Sequence, residues 1–214
     1  QSDMRGAIAG FPGQITQSFA IMNNWEPQNE YPGIQKIMVL GMGGSAIGGD
    51  VARVISQNSC TVPIIINRSY NIPEWVDSHT LILASSYSGG TEETLSAFAQ
   101  CRERNCPIIV LSTGGKITEL ANEYKLDIVT VPSGFQPRAS LGFLFSSILI
   151  LLNRLGFVQR ETVKMVENSL EQLETLASEL NRSENPALTI AEQIHNTCPI
   201  IYGSEDLTWV SAVR

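Results

Sequence analysis

Two stretches hold the residues whose types and spacing could do chemistry. GMGGSAIGGD at 41–50 directly follows the apolar run Lys36–Leu40, and SSYSGGTEET at 85–94 directly follows Leu81–Ala84. The first offers backbone amides through glycines such as Gly43 and Gly44, next to the hydroxyl of Ser45. The second offers the hydroxyls of Ser85, Ser86, Ser88 and Thr91. Four hydroxyls within seven residues exceed what one helix cap uses, although Thr91 is also placed to cap the helix that follows. Amides and hydroxyls at helix N-termini suit an anion, and this many suit the three free oxygens of a phosphate monoester. A third segment, Pro132–Arg138, puts Arg138 at the N-terminal end of a long apolar helix. A cation there opposes the helix dipole, so its local electrostatics give it no reason to be present; a ligand-facing role on the sheet edge shared with the two loops is the preferred reading, and a plain surface arginine is the alternative.

Other chemistries fit less well. The glycine spacing is G-x-G-G-S, not G-x-G-x-x-G. The acidic residue that a dinucleotide ribose calls for is missing, since Ile66 leads into Asn67 and Arg68. No Gly-Lys-Ser/Thr follows the glycines, which excludes a P-loop. A nucleophile elbow around Ser88 needs glycine at 86, where Ser86 stands. The two histidines, His79 and His195, are isolated, and the four cysteines (Cys60, Cys101, Cys106, Cys198) form no C-x-x-C pair. Free thiols of a cytosolic protein are expected, and the isolated histidines and scattered thiols make no recognisable zinc site. A net charge of −7 and a pI near 4.9 argue against nucleic acid as a partner, and no Lys/Arg run offers itself to a membrane surface. The opening residues do not read as a signal peptide, because Asp3 and Arg5 interrupt them. The longest apolar stretch, Leu141–Leu152, is about half of the ~20 residues a bilayer requires, so it reads as a core or interface helix.

The elements that must position these groups follow from periodicity. Residues 3–24 read as helical, and the two prolines of 24–33 mark a connector. Five short β-branched runs come next: Ile37–Leu40, Val62–Ile66, Leu81–Ala84, Ile108–Leu111 and Ile128–Val131. Their continuous apolarity suits strands buried on both faces. Helical segments at Ser45–Gln57, Thr91–Arg104 and Lys116–Tyr124 separate most of them, while Arg68–Ser78 has little helical character. This is an α/β pattern, and it predicts a doubly wound parallel sheet of five strands in the flavodoxin-like order, flanked by helices. Both loops then open on the carboxyl edge of one sheet. Beyond Pro137 the apolar helix runs to about Leu155, followed by helices near Arg160–Asn181 and Pro186–Asn196. Pro199–Tyr202, leading into Gly203-Ser204, reads as another strand meeting a turn.

In this order, GMGGSAIGGD, SYSGGTEET and PRASLGF resemble the sugar isomerase (SIS) domain of bifunctional phosphoglucose/phosphomannose isomerases. The resemblance covers residues 35–155 well and 199–214 more loosely. It implies that Gly43, Gly44, Ser45, Ser86, Ser88 and Thr91 line a sugar-phosphate site, with the hydroxyl loop taking the phosphate. Arg138 then stands near the C1–C2 end of the substrate, where it stabilises an enediolate. The implied reaction is aldose–ketose isomerisation of glucose or mannose 6-phosphate to fructose 6-phosphate, in a cytoplasmic homodimer without cofactor. Gly90 departs from the asparagine that related proteins often carry. The family's glutamate base, histidine and lysine match nothing up to Arg214, and neither Glu192 nor Glu205 fits their motifs. A non-catalytic module that senses a sugar phosphate is the alternative.

The expected organisation is an SIS domain with leading helices at 1–155, a helical connector at 156–197 and the beginning of a second SIS domain at 198–214. The chain starts at Gln1 without a methionine and stops at Arg214 inside a helical pattern, as a piece of a longer protein would. Taken alone, these 214 residues are expected to bind the sugar phosphate weakly and to isomerise nothing.

Overall fold

The five β-branched runs become five strands in a computed structural model that describes residues 3–200. They are β1 (Lys36–Leu40), β2 (Ile64–Asn67), β3 (Thr80–Ser86), β4 (Ile108–Ser112) and β5 (Asp127–Thr130). All pair in parallel, in the order β2-β1-β3-β4-β5. In register, Leu40 stands beside Asn67 on one side and Ala84 on the other, and β3 runs two residues further, to end level with β4 and β5 at Ser86, Ser112 and Thr130. β3 is central and buried along its whole length.

Helices cover both faces, as strands apolar on both sides require. On one face lie α2 (Phe11–Asn23), α3 (Gly43–Ser56), α6 (Leu141–Arg154) and α7 (Arg160–Asn168). Their side chains pack with Ile37, Val39, Leu81, Leu83 and Ile109. On the other face lie α4 (Glu92–Glu103) and α5 (Lys116–Glu123), over Met38, Leu40, Ile82, Ala84 and Val110. β1 leads through α3 to β2, and β3 leads through α4 to β4, in opposite directions along the sheet. The chain therefore switches direction between β1 and β3, the place where open α/β sheets form their ligand crevice.

The apolar helix is a core helix: residues 142–152 of α6 are all buried, against α2 and α3. Among the described residues no helix is long and apolar enough to cross a membrane. The helical stretch expected over residues 3–24 is two helices, α1 (Met4–Ala9) and α2, divided at Gly10, with Pro12 in the first turn of α2. Likewise Arg160–Asn181 divides at Ser169 into α7 and α8 (Leu170–Leu180), where the Ser169 hydroxyl donates to the Val166 carbonyl at 2.8 Å. The segment 68–78 contains no helix, and α9 (Pro186–Ile194) completes the described elements. The strand expected at Pro199–Tyr202 and the second domain it would open lie almost wholly outside the described residues, and Pro199 and Ile200 are not in a strand.

The connector at 24–33 seals the edge strand β5. The Trp25 indole donates to the Ile128 carbonyl at 2.8 Å. The carboxylate of Asp127, 4% exposed, accepts from the amides of Gln28 (2.7 Å) and Asn29 (3.1 Å), from the Asn29 side chain (3.2 Å) and from the Tyr31 hydroxyl (2.5 Å). An otherwise open strand edge is thereby covered, and a buried carboxylate is fully hydrogen-bonded.

Candidate functional site

Strands β1, β3, β4 and β5 end side by side, and their following loops meet at one edge. The hydroxyl loop lies over the centre. Ser86, 1% exposed, donates to the Thr91 hydroxyl at 3.1 Å. Thr91 occupies the N-cap position of α4 with extended backbone, yet its side chain makes no capping hydrogen bond. This corrects the expected cap: the hydroxyl that would serve the helix is turned to Ser86. The amides of Glu92, Glu93 and Thr94 consequently find no acceptor among the described residues. Ser88 is exposed at the apex of the loop. Ser85 is not part of this loop. β3 runs two residues beyond its apolar run, so Ser85 is fully buried in the strand and its hydroxyl has no partner among the described residues.

The glycine turn sits against this loop. The Ser45 hydroxyl, 4% exposed, accepts from the Tyr87 amide at 3.2 Å. Gly43 opens α3 with φ of +50°, and the amides of Gly43 and Gly44 have no acceptor among the described residues. Two glycines are dictated by close approach. A β-carbon at Gly44 would overlap the carbonyl oxygen of Pro137, and one at Gly89 would overlap that of Gly114. The first keeps the glycine turn in contact with the Arg138 segment, and the second keeps the hydroxyl loop in contact with the β4–α5 loop.

Arg138 does not begin the apolar helix, as the sequence leads one to expect. It lies in a separate 3-10 turn, Pro137–Ala139, ahead of Ser140 and α6. Its backbone nitrogen is 3.2 Å from the place a Gly44 β-carbon would take. Its side chain is exposed and makes no ion pair or hydrogen bond among the described residues. The other arginine at this edge, Arg68, is committed: it pairs with Asp50 of α3, which is 3% exposed. Of the two, only Arg138 has its charge unspent.

Four residues that the motifs did not single out as functional complete the edge. Tyr87, Gln14, Thr113 and Ser140 all bond to the loops described above, and the Tyr87 ring is 5% exposed. The crevice is an open edge, whereas a cavity of about 550 Å³ lies elsewhere, among apolar residues of α1, α2, α8 and α9. Among the described residues no three His, Cys, Asp or Glu side chains gather as a metal site would need, and Cys60, Cys101, Cys106 and Cys198 are free thiols.

No family model matches the chain. Curated relatives do. A bifunctional phosphoglucose/phosphomannose isomerase of Caldicellulosiruptor bescii is 39% identical over 97% of this chain and 62% of its own length. Its namesake in Aquifex aeolicus is 34% identical over 89% of this chain and 57% of its own length. A D-glucosamine-6-phosphate 4-epimerase of Sulfolobus acidocaldarius is 31% identical over 82% of this chain and 55% of its own length. The chain thus spans somewhat over half the length of these relatives. Two solved structures share the fold at low identity. The C-terminal domain of glucosamine-fructose-6-phosphate aminotransferase from Francisella tularensis superposes with a TM-score of 0.60 at 16% identity, over 91% of this chain and 57% of that one. Tagatose-6-phosphate ketose/aldose isomerase of Escherichia coli does so with a TM-score of 0.57 at 16% identity, over 80% of this chain and 52% of that one. With a five-stranded parallel sheet of this order and identity of 39% along nearly its whole length, the chain is a relative of the bifunctional phosphoglucose/phosphomannose isomerases and carries the SIS fold.

Proposed function

We propose that this chain supplies the phosphate-holding side of a hexose 6-phosphate isomerase site, which interconverts glucose or mannose 6-phosphate with fructose 6-phosphate through an enediolate. One observation carries the reading: the uncapped N-terminus of α4. Three first-turn amides lack acceptors there, beside the exposed hydroxyl of Ser88 and the paired hydroxyls of Ser86 and Thr91. A phosphate monoester would satisfy that whole set at once.

In this reading Ser86, Ser88 and Thr91 hold the phosphate, and the Gly43–Ser45 turn borders the sugar. Binding the remote phosphate orients the reacting end, so the gain appears as rate. Arg138 meets the oxygen on which negative charge grows as C2 loses its proton, and a fixed cation favours the enediolate over the neutral sugar. No residue of this chain is assigned as the proton carrier between C1 and C2, and no cofactor is needed for a proton transfer of this kind. The molecule is proposed to act as a cytoplasmic homodimer, which sedimentation and fractionation would test.

The experiment is titration calorimetry on the 214-residue protein with fructose 6-phosphate, then with inorganic phosphate as competitor. Saturable binding is expected, competed by phosphate and weakened about fivefold by Ser88→Ala, the value of one net hydrogen bond. Binding that ignores Ser86→Ala, Ser88→Ala and phosphate alike would overturn the proposal. The kinship with a 4-epimerase favours one second reading, a different reaction on a sugar phosphate held in the same way. A full-length enzyme that converts glucosamine 6-phosphate but neither glucose nor mannose 6-phosphate would establish it.

A further inference from the structure

Tyr87 stands between the two serines of the hydroxyl loop, and each of its polar groups reaches a different loop. Its amide donates to Ser45 of the glycine turn at 3.2 Å. Its carbonyl accepts from the Thr113 hydroxyl at 2.8 Å and the Thr113 amide at 3.3 Å, after β4. Its phenol donates to the Pro132 carbonyl at 2.8 Å and accepts from the Phe135 amide at 3.2 Å, after β5. One buried residue therefore joins the loops that follow β1, β3, β4 and β5. No other residue bridges from the hydroxyl loop to the segment that ends in Arg138 among the hydrogen bonds of the described residues.

The far side of that segment is fastened too. Gln14 of α2, 2% exposed, donates to the Ala139 carbonyl at 2.7 Å and accepts from the Gly142 amide at 3.0 Å. The Ser140 hydroxyl donates to the Pro137 carbonyl at 2.8 Å. The Arg138 guanidinium is thus free, while the backbone that carries it is tied upstream and downstream and rests on Gly44. A free charge on a fixed base is what an electrostatic site needs, since orientation is settled before the ligand arrives.

We infer that Tyr87 is a positioning residue for Arg138: its hydroxyl holds the 132–138 segment in register with the hydroxyl loop, so that one ligand meets both. The inference rests on the sugar-phosphate reading above. Burial raises the phenol above its ordinary range, against a smaller opposing effect of the Phe135 amide, so the hydroxyl stays a neutral donor and acceptor at physiological pH.

A double-substitution cycle on fructose 6-phosphate binding tests it. Tyr87→Phe keeps the ring and removes both bonds of the hydroxyl. It should weaken binding about fivefold, as one net hydrogen bond would. In an Arg138→Ala background the same change should cost less than about twofold, because the group it positions is gone. Equal losses in the two backgrounds would overturn the inference while leaving the sugar-phosphate reading intact. A wild-type protein that does not bind fructose 6-phosphate defeats that reading, and the inference with it. Amide exchange supplies the second measurement. In Tyr87→Phe the Phe135 amide should exchange at least about tenfold faster, with Leu83 and Val110 unchanged. Unchanged exchange at Phe135, or faster exchange throughout the sheet, contradicts a local positioning role.

Discussion

The Ser86 hydroxyl donates to the Thr91 hydroxyl at 3.1 Å across the mouth of α4, and the helix begins without a side-chain cap. Stability at this helix end has been exchanged for open amides. Thr91→Asp should therefore stabilise the fold by about 0.5–1 kcal/mol, the usual gain of a working cap. It should weaken fructose 6-phosphate binding by more than about tenfold, since a carboxylate would then occupy the place proposed for the phosphate. Thermal unfolding and titration calorimetry on the one variant read both effects.

The Arg138 side chain is exposed and makes no ion pair or hydrogen bond among the described residues. Arg138→Ala should change unfolding free energy by less than about 0.5 kcal/mol, as exposed substitutions do. In the full-length enzyme it should lower kcat by about 10²–10³, with a smaller rise in KM, if it serves the enediolate. A large rise in KM at near-normal kcat would place the guanidinium on the phosphate instead.

Gly44→Ala tests the contact between the glycine turn and the Arg138 turn. The added methyl would strike the Pro137 carbonyl, which is backbone and cannot swing away. A cost of about 1–3 kcal/mol is expected, as for other overpacked sites, with sugar-phosphate binding lost. Gly90→Ala meets no neighbour within 4 Å and serves as the matched control, expected to leave stability within about 1 kcal/mol.

Alkaline pH should find the Tyr31–Asp127 knot. Burial, then the hydrogen bond to Asp127 and its charge, push the Tyr31 phenol far above its ordinary value. The folded chain keeps this proton at a pH where the unfolded chain, with a tyrosine pKa of about 10, gives it up. The contribution is whole below about pH 10 and is lost as the pH rises beyond it. Urea midpoints should fall more steeply above pH ~10 in the wild type than in Tyr31→Phe. Tyr87, shifted the same way, leaves part of the slope in the variant. At neutral pH Tyr31→Phe should cost about 1–2 kcal/mol, because a buried carboxylate loses a donor.

These contrasts mark what a reader of the residues alone can reach. The strands were legible because Ile37–Leu40 and Leu81–Ala84 are apolar on both faces, and the glycine and hydroxyl loops because they interrupt those runs abruptly. The division at Ser169 was not, since its cause is one hydroxyl competing for a carbonyl in an otherwise periodic helix. The cap at Thr91 was misjudged for a related reason: its partner, Ser86, comes within reach only once the loop has closed. Tyr87 showed no signal as a bridge because its hydroxyl partners lie 45 and 48 residues away in sequence. Gln14 is 125 residues from the carbonyl it holds, inside a helix that reads as an ordinary leader.

That helix bears on where the unit can be cut. A shortened polypeptide starting at Lys36 would keep every described strand and all three motifs. It would also strip α2 from α6, taking Phe11 off the Phe145 ring and leaving the Gly142 amide without its acceptor. The turn that carries Arg138 would lose its downstream tether. The smallest portable version of this module therefore begins before its first strand, and the residues ahead of the sheet belong to the site as much as to the scaffold.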